Sequence, residues 1–289
     1  MSIRVENVSY SYQAGTPMAT EALNSVSLEI QDGEFVGLIG PTGSGKSTLV
    51  QHFNGLLLPS SGKVYVDGVD LTAKDVQLRA IRQKVGMVFQ YPEHQLFGET
   101  ILEDVGFGPR NGGLSDAEVV ERVKEALAFV RLDYEALKDR SPFELSGGQK
   151  RRVAIAGVLA MRPSVLILDE PTAGLDPRGR EEILAEIRAL QKKRGITVVL
   201  VTHSMEDVAR LVDRLIVMEK GKIALDGPLV EVFRQVDRLQ AMGLDIPQIT
   251  RLMHELKAKG LAVNTDLFRV AEAEEEIIRV LGWDENGHV

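Results

Sequence analysis

Apolar and polar positions alternate along the N-terminal part of the chain, as they do in strands with one buried face. The alternating segments are residues 3–5, 8–10, 26–30 and 62–68. The last of them ends in Asp67-Gly68, which is a turn signal. A further segment, at 34–39, is almost entirely apolar. The pattern predicts an antiparallel β layer together with one buried strand.

Farther along the chain, continuous apolar runs alternate with segments of helical periodicity. The apolar runs are residues 85–89, 165–168, 197–201 and 215–218. Helices are predicted from about Gly179 to Lys193 and from about Met205 to Val212. Apolar strands separated by helices are typical of a parallel sheet covered on both faces. The predicted fold class is therefore α/β.

Two other regions carry helical patterns without strands. In residues 93–138, Ser115 and Glu118 form the capping-box signature of a helix start. Near the C-terminus, apolar residues at 249, 252, 253 and 256 share one helix face, and an acidic helical segment follows at 270–281. Because strand patterns stop after Gly227, residues 229–289 are predicted to form a small helical extension.

Composition narrows the class of protein. The chain has 289 residues, of which 44% are hydrophobic and 26% charged, as in ordinary globular proteins. A net charge of −8 argues against a nucleic-acid partner, and the basic triplet at 150–152 is expected to face solvent or a protein partner. The absence of cysteine excludes disulfides and thiolate chemistry. Without a signal peptide or an apolar run of membrane-spanning length, the chain is expected to be cytoplasmic and to reach a membrane through a partner.

The most specific pattern directly follows the apolar segment at 34–39 and matches the phosphate-binding motif G-x-x-x-x-G-K-[ST]. Its residues are Gly40, Pro41, Thr42, Gly43, Ser44, Gly45, Lys46, Ser47 and Thr48. Glycines let successive backbone N–H groups face one anion, and the helix that follows adds its N-terminal donors. Lys46 is expected to reach the outer phosphates, and the Ser47 hydroxyl to ligate Mg²⁺. The predicted ligand is a nucleoside triphosphate.

Two carboxylates, Asp169 and Glu170, end the apolar run at 165–168. The C-terminal ends of parallel strands face the ligand crevice, so both are expected near the phosphates. We assign Asp169 to Mg²⁺, and Glu170 to the water that attacks the γ-phosphate.

A second glycine-rich turn precedes another helical segment. Ser146, Gly147, Gly148 and Gln149 follow Leu145. A serine and two glycines at a helix start predict a second anion site, which is one more than a single nucleotide needs. Two chains facing head to tail would account for both sites, because each ATP would lie between residues 40–48 of one chain and 146–148 of the other.

The motifs at 40–48, 145–149 and 168–170, in that order, resemble those of the ATP-binding cassette (ABC) ATPases over about residues 2–228. The resemblance implies a P-loop NTPase core with a mostly parallel sheet and an antiparallel β subdomain. It also implies a helical signature subdomain at about 91–160, and ATP hydrolysis with Mg²⁺.

Four more residues gain roles through this resemblance. Gln90 would contact Mg²⁺ and the attacking water, and His203 would contact the γ-phosphate. Asp176 would be a dimer contact beside the hydrolysis site. Tyr12 would stack on adenine, with Tyr10 on the same side of its strand as the alternative.

Residues 90–97, together with 100–111, 12–17 and the tail at 243–261, resemble the ATPase subunits of energy-coupling factor (ECF) importers of the cobalt-transport type. This implies a second ATPase, alike or paralogous, which the C-terminal extension would contact. It also implies a transmembrane scaffold and a membrane subunit that binds a vitamin or transition-metal ion. The chain would lie on the cytoplasmic face of the cell membrane, with Glu93 and Asp104 as candidate contacts for scaffold arginines.

Two other functions share parts of this pattern. An exporter ATPase, or the ATPase of a lipid or lipoprotein extruder, would carry the same nucleotide motifs and differ in its membrane partner. A soluble ABC ATPase of DNA repair would carry a long coiled coil between residues 48 and 146, which the sequence lacks, and translation ATPases usually carry two cassettes.

Overall fold

The computed structural model of the protein describes residues 2–282, so residues 283–289 of the predicted C-terminal extension lie outside the described part. The strands, labelled in chain order, are β1 Ile3–Tyr12, β2 Thr20–Ile30, β3 Phe35–Ile39, β4 Ser61–Val66, β5 Val69–Asp70, β6 Val85–Val88, β7 Val165–Asp169, β8 Thr197–Val201, β9 Arg214–Glu219 and β10 Lys222–Pro228. They form an antiparallel sheet in the order β2-β1-β4-β5 and a larger sheet in the order β10-β9-β3-β8-β7-β6. All strands of the larger sheet are parallel except β10, which pairs with β9 in the antiparallel sense.

Helices cover the larger sheet and form the C-terminal region. They are α1 Lys46–Phe53, α2 Leu78–Lys84, α3 Ile101–Asn111, α4 Asp116–Phe129, α5 Tyr134–Leu137, α6 Gly147–Ala160, α7 Pro177–Arg194, α8 Met205–Leu211, α9 Leu229–Phe233, α10 Val236–Ala241, α11 Gln248–Ala258 and α12 Val270–Leu281. Short 3₁₀ turns lie at Pro92–Gln95 and Pro142–Glu144. Within residues 2–282, no helix is both long and apolar enough to cross a membrane.

The parallel sheet separates two hydrophobic cores, and alternate residues of each strand enter opposite cores. In β3, Phe35 and Ile39 pack with α3, α4, α6 and α7, whereas Val36 and Leu38 pack with the antiparallel sheet and α1. Burial on both faces explains why the inner positions of these strands are almost all apolar. The arrangement fixes the C-terminal edge of the parallel sheet, where β3 and β7 both end.

The predicted α/β class and the two kinds of sheet are confirmed, and the predicted strands and helices are present with some differences. The segments at 3–5 and 8–10 form one strand, because the chain passes through an irregularity at Asn7, whose φ is +47°. Strands β5 and β10 and helix α2 were not predicted; they are short and pack against β4, β9 and β6, respectively. Helices α9 and α10 lie within the helical extension predicted at 229–289.

The C-terminal helices α11 and α12 pack on each other around a small core of Met253, Val263 and Ala273. The helical periodicity predicted both helices. Ala273 is the fully buried residue of α12, whereas Val270, its first residue, is 70% exposed.

Candidate functional site

The phosphate-binding loop joins the end of β3 to the start of α1. Its shape requires glycine at two positions. Gly45 has a φ of +101°, and a Cβ there would lie 2.5 Å from the backbone oxygen of Ala22; at Gly40 it would lie 2.3 Å from that of Met218. Both distances are shorter than real Cβ contacts, and φ at Gly45 lies in the region that glycine alone adopts freely.

Polar groups of this loop are positioned to bind an anion. The Lys46 ammonium is buried and donates to the backbone oxygens of Gly40, at 2.7 Å, and Pro41, at 3.0 Å. Burial lowers the pKa of Lys46, while Glu170 and Asp169 act in the opposite direction. The Ser44 hydroxyl is buried and has no hydrogen-bond partner in the described part of the chain. A buried hydroxyl without a partner is the kind of group that a phosphate oxygen would satisfy.

Asp169 and Glu170 stand at the end of β7, as predicted, beside this loop. Asp169 is 7% exposed, and its burial raises its pKa, while the Ser47 hydroxyl and the Lys46 ammonium counteract the rise. Glu170 has a φ of +50°, an unfavourable conformation for a side chain of this kind. Strained residues of this type are concentrated at functional sites.

The environment of Glu170 favours its protonated form. Burial, followed by the neighbouring carboxylate of Asp169, raises its pKa to about 7. The backbone N–H of His203 hydrogen-bonds this carboxyl group and limits the rise, and the His203 Nε2 atom lies 3.5 Å from Glu170 Oε1. Burial lowers the pKa of His203, so its ring is neutral near pH 7. The pair therefore joins a carboxyl group that titrates near neutrality with a neutral imidazole.

An aromatic side chain lies next to the loop. Tyr12 is 40% exposed, and its hydroxyl is 3.1 Å from the Thr48 hydroxyl oxygen. Tyr10 is less exposed and stands edge-on between Tyr12 and the buried ring of His52, with ring centroids 5.0 Å from each. Tyr12 is thus the ring with a free face, and adenine stacking on it remains a prediction.

The second glycine-rich turn lies at the surface, at the start of α6. The Ser146 hydroxyl caps the helix and accepts from the Gln149 N–H, and the Gln149 side chain accepts in return from the Ser146 N–H at 3.1 Å. Ser146 and Gly147 are exposed. The capping box explains Ser146 and Gln149 as helix-starting residues, but it does not explain the glycines between them.

Gln90 and Asp176 also lie where the motif order predicts. Gln90 is exposed two residues beyond β6, which pairs in parallel with β7. Asp176 caps α7 by accepting from the Gly179 N–H at 2.6 Å. Their roles toward water, metal and a second subunit remain predictions.

The two acidic residues predicted to meet scaffold arginines are engaged within the chain. Asp104 is buried and accepts backbone N–H groups of Phe97 and Gly98, each at 2.8 Å. Its carboxylate therefore shapes the turn before α3, which is at odds with a role as a partner contact. Glu93 lies 3.3 Å from the buried guanidinium of Arg151.

One pair beside the site has no signal in the sequence. Arg180 of α7 donates twice to Asp207 of α8, at 3.0 and 2.6 Å, and its charge opposes the rise in the pKa of Glu170. The two helices meet only through tertiary packing, so no local pattern could indicate the pair.

The donor set around Ser47 and Asp169 suits Mg²⁺. Within residues 2–282, no three His, Cys, Asp or Glu side chains cluster as a metal cage. Mg²⁺ is usually bound by one or two oxygen ligands of the protein, phosphate oxygens and water, without such a cage. A hydroxyl within hydrogen-bonding reach of a buried carboxylate, beside a phosphate loop, fits that description.

Comparisons with known proteins agree with this geometry. The family model described as ABC transporter matches residues 23–173. The chain is 57% identical over 281 residues to the energy-coupling factor transporter ATP-binding protein EcfA2 of Clostridium perfringens, covering 97% of this chain and 99% of that protein. It is also 57% identical over 281 residues to EcfA2 of Symbiobacterium thermophilum, with 97% of each chain covered.

Solved structures show the same fold. The structure of cbiO1 from Clostridium perfringens, part of the ABC transporter complex cbiONQ, has a TM-score of 0.72 and 42% identity, over 87% of this chain and 98% of that one. The dimeric ATP-binding cassette MJ0796 bound to ADP and Pi has a TM-score of 0.71 and 35% identity, over 78% of this chain and 98% of that one. The chain therefore belongs to the ABC transporter family, among the ATP-binding proteins of energy-coupling factor transporters.

Proposed function

We propose that this chain binds and hydrolyses ATP to drive an ECF-type importer for a vitamin or a transition-metal ion. One observation carries the proposal. Lys46, Asp169, Glu170 and His203 meet at one edge of the sheet, in a chain that is 57% identical along nearly its whole length to an ECF transporter ATP-binding protein.

The chemistry is hydrolysis of the γ-phosphate. The loop N–H groups and Lys46 hold the phosphates, and His203 contacts the γ-phosphate. Glu170 accepts a proton from the attacking water as the new O–P bond forms and the bond to the ADP oxygen breaks. A base with a pKa of about 7 suits proton transfer near neutral pH, and such help is typically worth about 10²–10⁴-fold in rate.

Ser47 and Asp169 would hold Mg²⁺, with Gln90 as a further ligand. Bound Mg²⁺ would neutralise charge on the β- and γ-phosphate oxygens. The role of the chain is then to orient the phosphates and water and to hold the proton acceptor in place.

A complete site requires a second ATPase subunit. Gly147 has open space around the position of a Cβ, and at Gly148 the nearest atom is 3.8 Å away, in Leu175. Nothing in the part of the chain that the structure describes requires glycine there, whereas close approach of a phosphate would. Ser146 and both glycines would therefore bind the ATP held by the loop of the other subunit, with Asp176 contacting that subunit, and hydrolysis would release the pair.

The membrane partners would be a transmembrane scaffold and a separate subunit that binds the solute. In this arrangement, the chain is peripheral on the cytoplasmic face of the membrane. The exposed rings of Phe97 and Phe107, whose centroids are 4.8 Å apart, lie on the helical region that follows Gln90 and could pack against a scaffold.

The E170Q variant tests the catalytic assignment. ATP binding should stay within about twofold of wild type, because the loop is unchanged, while turnover should fall at least about 100-fold. Equilibrium ATP binding, steady-state hydrolysis and ATP-dependent dimerisation measure these effects. Hydrolysis by E170Q near the wild-type rate would show that Glu170 is not the base.

Co-purification tests the assembly. The tagged full-length chain should bring down a second ATPase and two membrane proteins, and the reconstituted complex should import its solute with ATP but not in the E170Q form. Recovery of an exporter or a lipid extruder as the membrane partner would overturn the importer function and leave the ATPase function in place.

A further inference from the structure

Arg151 is a buried cation immediately behind the second glycine-rich turn. It lies in the second turn of α6, and its side chain is only 3% exposed. Arginine is rarely buried to this degree without a partner, because removing its charge from water is costly. Its neighbours therefore indicate what it does.

Arg151 pairs with one other segment of the ATP site and lies beside another. Its Nε atom lies 3.3 Å from Glu93 Oε2, and its guanidinium carbon is 5.8 Å from the centre of the Tyr91 ring. A Cβ built on Gly174 would lie 3.8 Å from Arg151 Nη1. One side chain thus joins the segment after Gln90, the turn at 146–149 and the turn at 173–176.

The segment after Gln90 needs such support. Tyr91 has a φ of +56°, which is sterically unfavourable for a bulky residue. Tyr91 also stacks on His94, with ring centroids 5.8 Å apart. A guanidinium near the ring, and paired with Glu93, favours this backbone conformation.

The ion pair is incompletely hydrogen-bonded in this conformation. Arg151 Nε and Nη2 and Glu93 Oε2 are buried without a hydrogen-bond partner in the described part of the chain. Buried polar atoms of this kind call for an explanation, and one is that the pair is set up for a second arrangement.

We propose that Arg151 is a positioning residue that couples the segment after Gln90 to the turns at 146–149 and 173–176. This inference rests on the proposed function, since it concerns the alignment of those turns with ATP. Movement of residues 91–97 by a membrane partner would be passed through Glu93 and Arg151 to the turn that closes on the nucleotide.

The R151M variant removes the charge and keeps most of the length. In the complex purified through the tagged chain, kcat for ATP should fall at least tenfold. Equilibrium ATP binding in EDTA should stay within twofold, because residues 40–48 are not touched. R151K, which keeps the charge, should recover kcat to within about threefold of wild type.

Two further variants separate positioning from folding. The double variant E93Q/R151M removes both charges, so its Tm should return close to the wild-type value while kcat stays at least tenfold low. R162M is the control just beyond the C-terminal end of α6, because Arg162 pairs with Glu125 at 2.6 Å on the surface. Its kcat should remain within twofold of wild type.

Full turnover by R151M, or by the double variant, would overturn the inference and leave the proposed function intact. Equal loss in R162M would overturn it as well, by showing that any lost ion pair on this helix has the same effect. Absence of hydrolysis by the wild-type complex would instead overturn the proposed function, and this inference with it.

Discussion

The two glycine-rich turns look alike in sequence but have opposite surroundings. In the phosphate loop, backbone atoms of Ala22 and Met218 leave no room for a Cβ on Gly45 or Gly40. In the turn at 146–149, Gly147 has free space around it. The first turn is shaped by its own chain, and the second is open toward solvent.

This difference separates two reasons for glycine. Glycines of the loop are needed both for the fold and for the ligand, because backbone atoms of neighbouring strands lie too close to allow a Cβ. Packing within residues 2–282 does not require the glycines of the second turn, so the reason for glycine there is a group that approaches from outside the chain. This supports the proposal that the second turn is half of a site whose other half lies on another subunit.

The largest expected effect on stability and turnover comes from replacing one glycine of each turn by alanine. G45A should lower the free energy of unfolding by at least about 2 kcal/mol, because of the positive φ and the contact with Ala22. G147A should change it by no more than about 0.5 kcal/mol. Both should reduce turnover, G147A by about 100-fold through loss of one anion-binding region. Urea denaturation and steady-state ATP hydrolysis measure the two effects.

Three results would contradict the comparison. A strongly destabilised G147A would mean that the second turn is also shaped by its own chain. A fully stable G45A would remove the steric argument for the loop. An active G147A would show that the second turn does not bind nucleotide.

The two regions also differ in their carboxyl groups. Glu170, beside the phosphate loop, has a raised pKa, whereas the turn at 146–149 contains no carboxyl group. The pKa of Glu170 is about 7 in the folded chain, against an ordinary value of 4.5. Between pH 4.5 and 7, the unfolded chain therefore loses this proton first, so rising pH destabilises the folded state. The stabilising contribution is full below about pH 4.5 and is lost as pH passes through 7.

E170Q should accordingly gain stability relative to wild type as pH rises, by about 1–3 kcal/mol between pH 5 and 8. Chemical denaturation in EDTA without nucleotide measures the difference. G147A removes no titratable group, so its difference from wild type should be independent of pH. A constant E170Q difference across this range would mean that Glu170 is not desolvated.

The smallest expected effect concerns the adenine end of the site. Y12A should weaken ATP binding about five- to tenfold, through loss of a stacking surface worth about 1 kcal/mol. Y12F should bind within about twofold of wild type, because it loses only the contact with Thr48. Y10F is the control for the neighbouring ring. Equal weakening by Y12F and Y12A would show that the hydroxyl, and not the ring face, matters.

The regular elements were predictable because their patterns are local. Strands such as β7 and β8 are apolar at all positions but one, and the capping residues Ser115 and Ser146 mark helix starts directly. Strands β5 and β10 and helix α2 were not predicted, because short elements contain too few residues to show a period.

The site residues fall into the same two groups: those that a local sequence pattern indicates and those that it does not. The loop at 40–48 and the pair Asp169 and Glu170 could be assigned from spacing and from their position after an apolar strand. Pairs such as Arg180 with Asp207, and Arg151 with Glu93, could not, because their members lie far apart in sequence and meet only when helices pack.

By itself, the sequence determined the α/β class, the nucleotide motifs and the residue types that handle phosphate, since each depends on a short pattern. Only the tertiary structure decided which glycines are fixed by their own chain, that Asp104 shapes a turn, and that Glu170 titrates near neutrality. The physical reason is that steric room and desolvation depend on which atoms surround a residue, and those atoms come from distant parts of the chain.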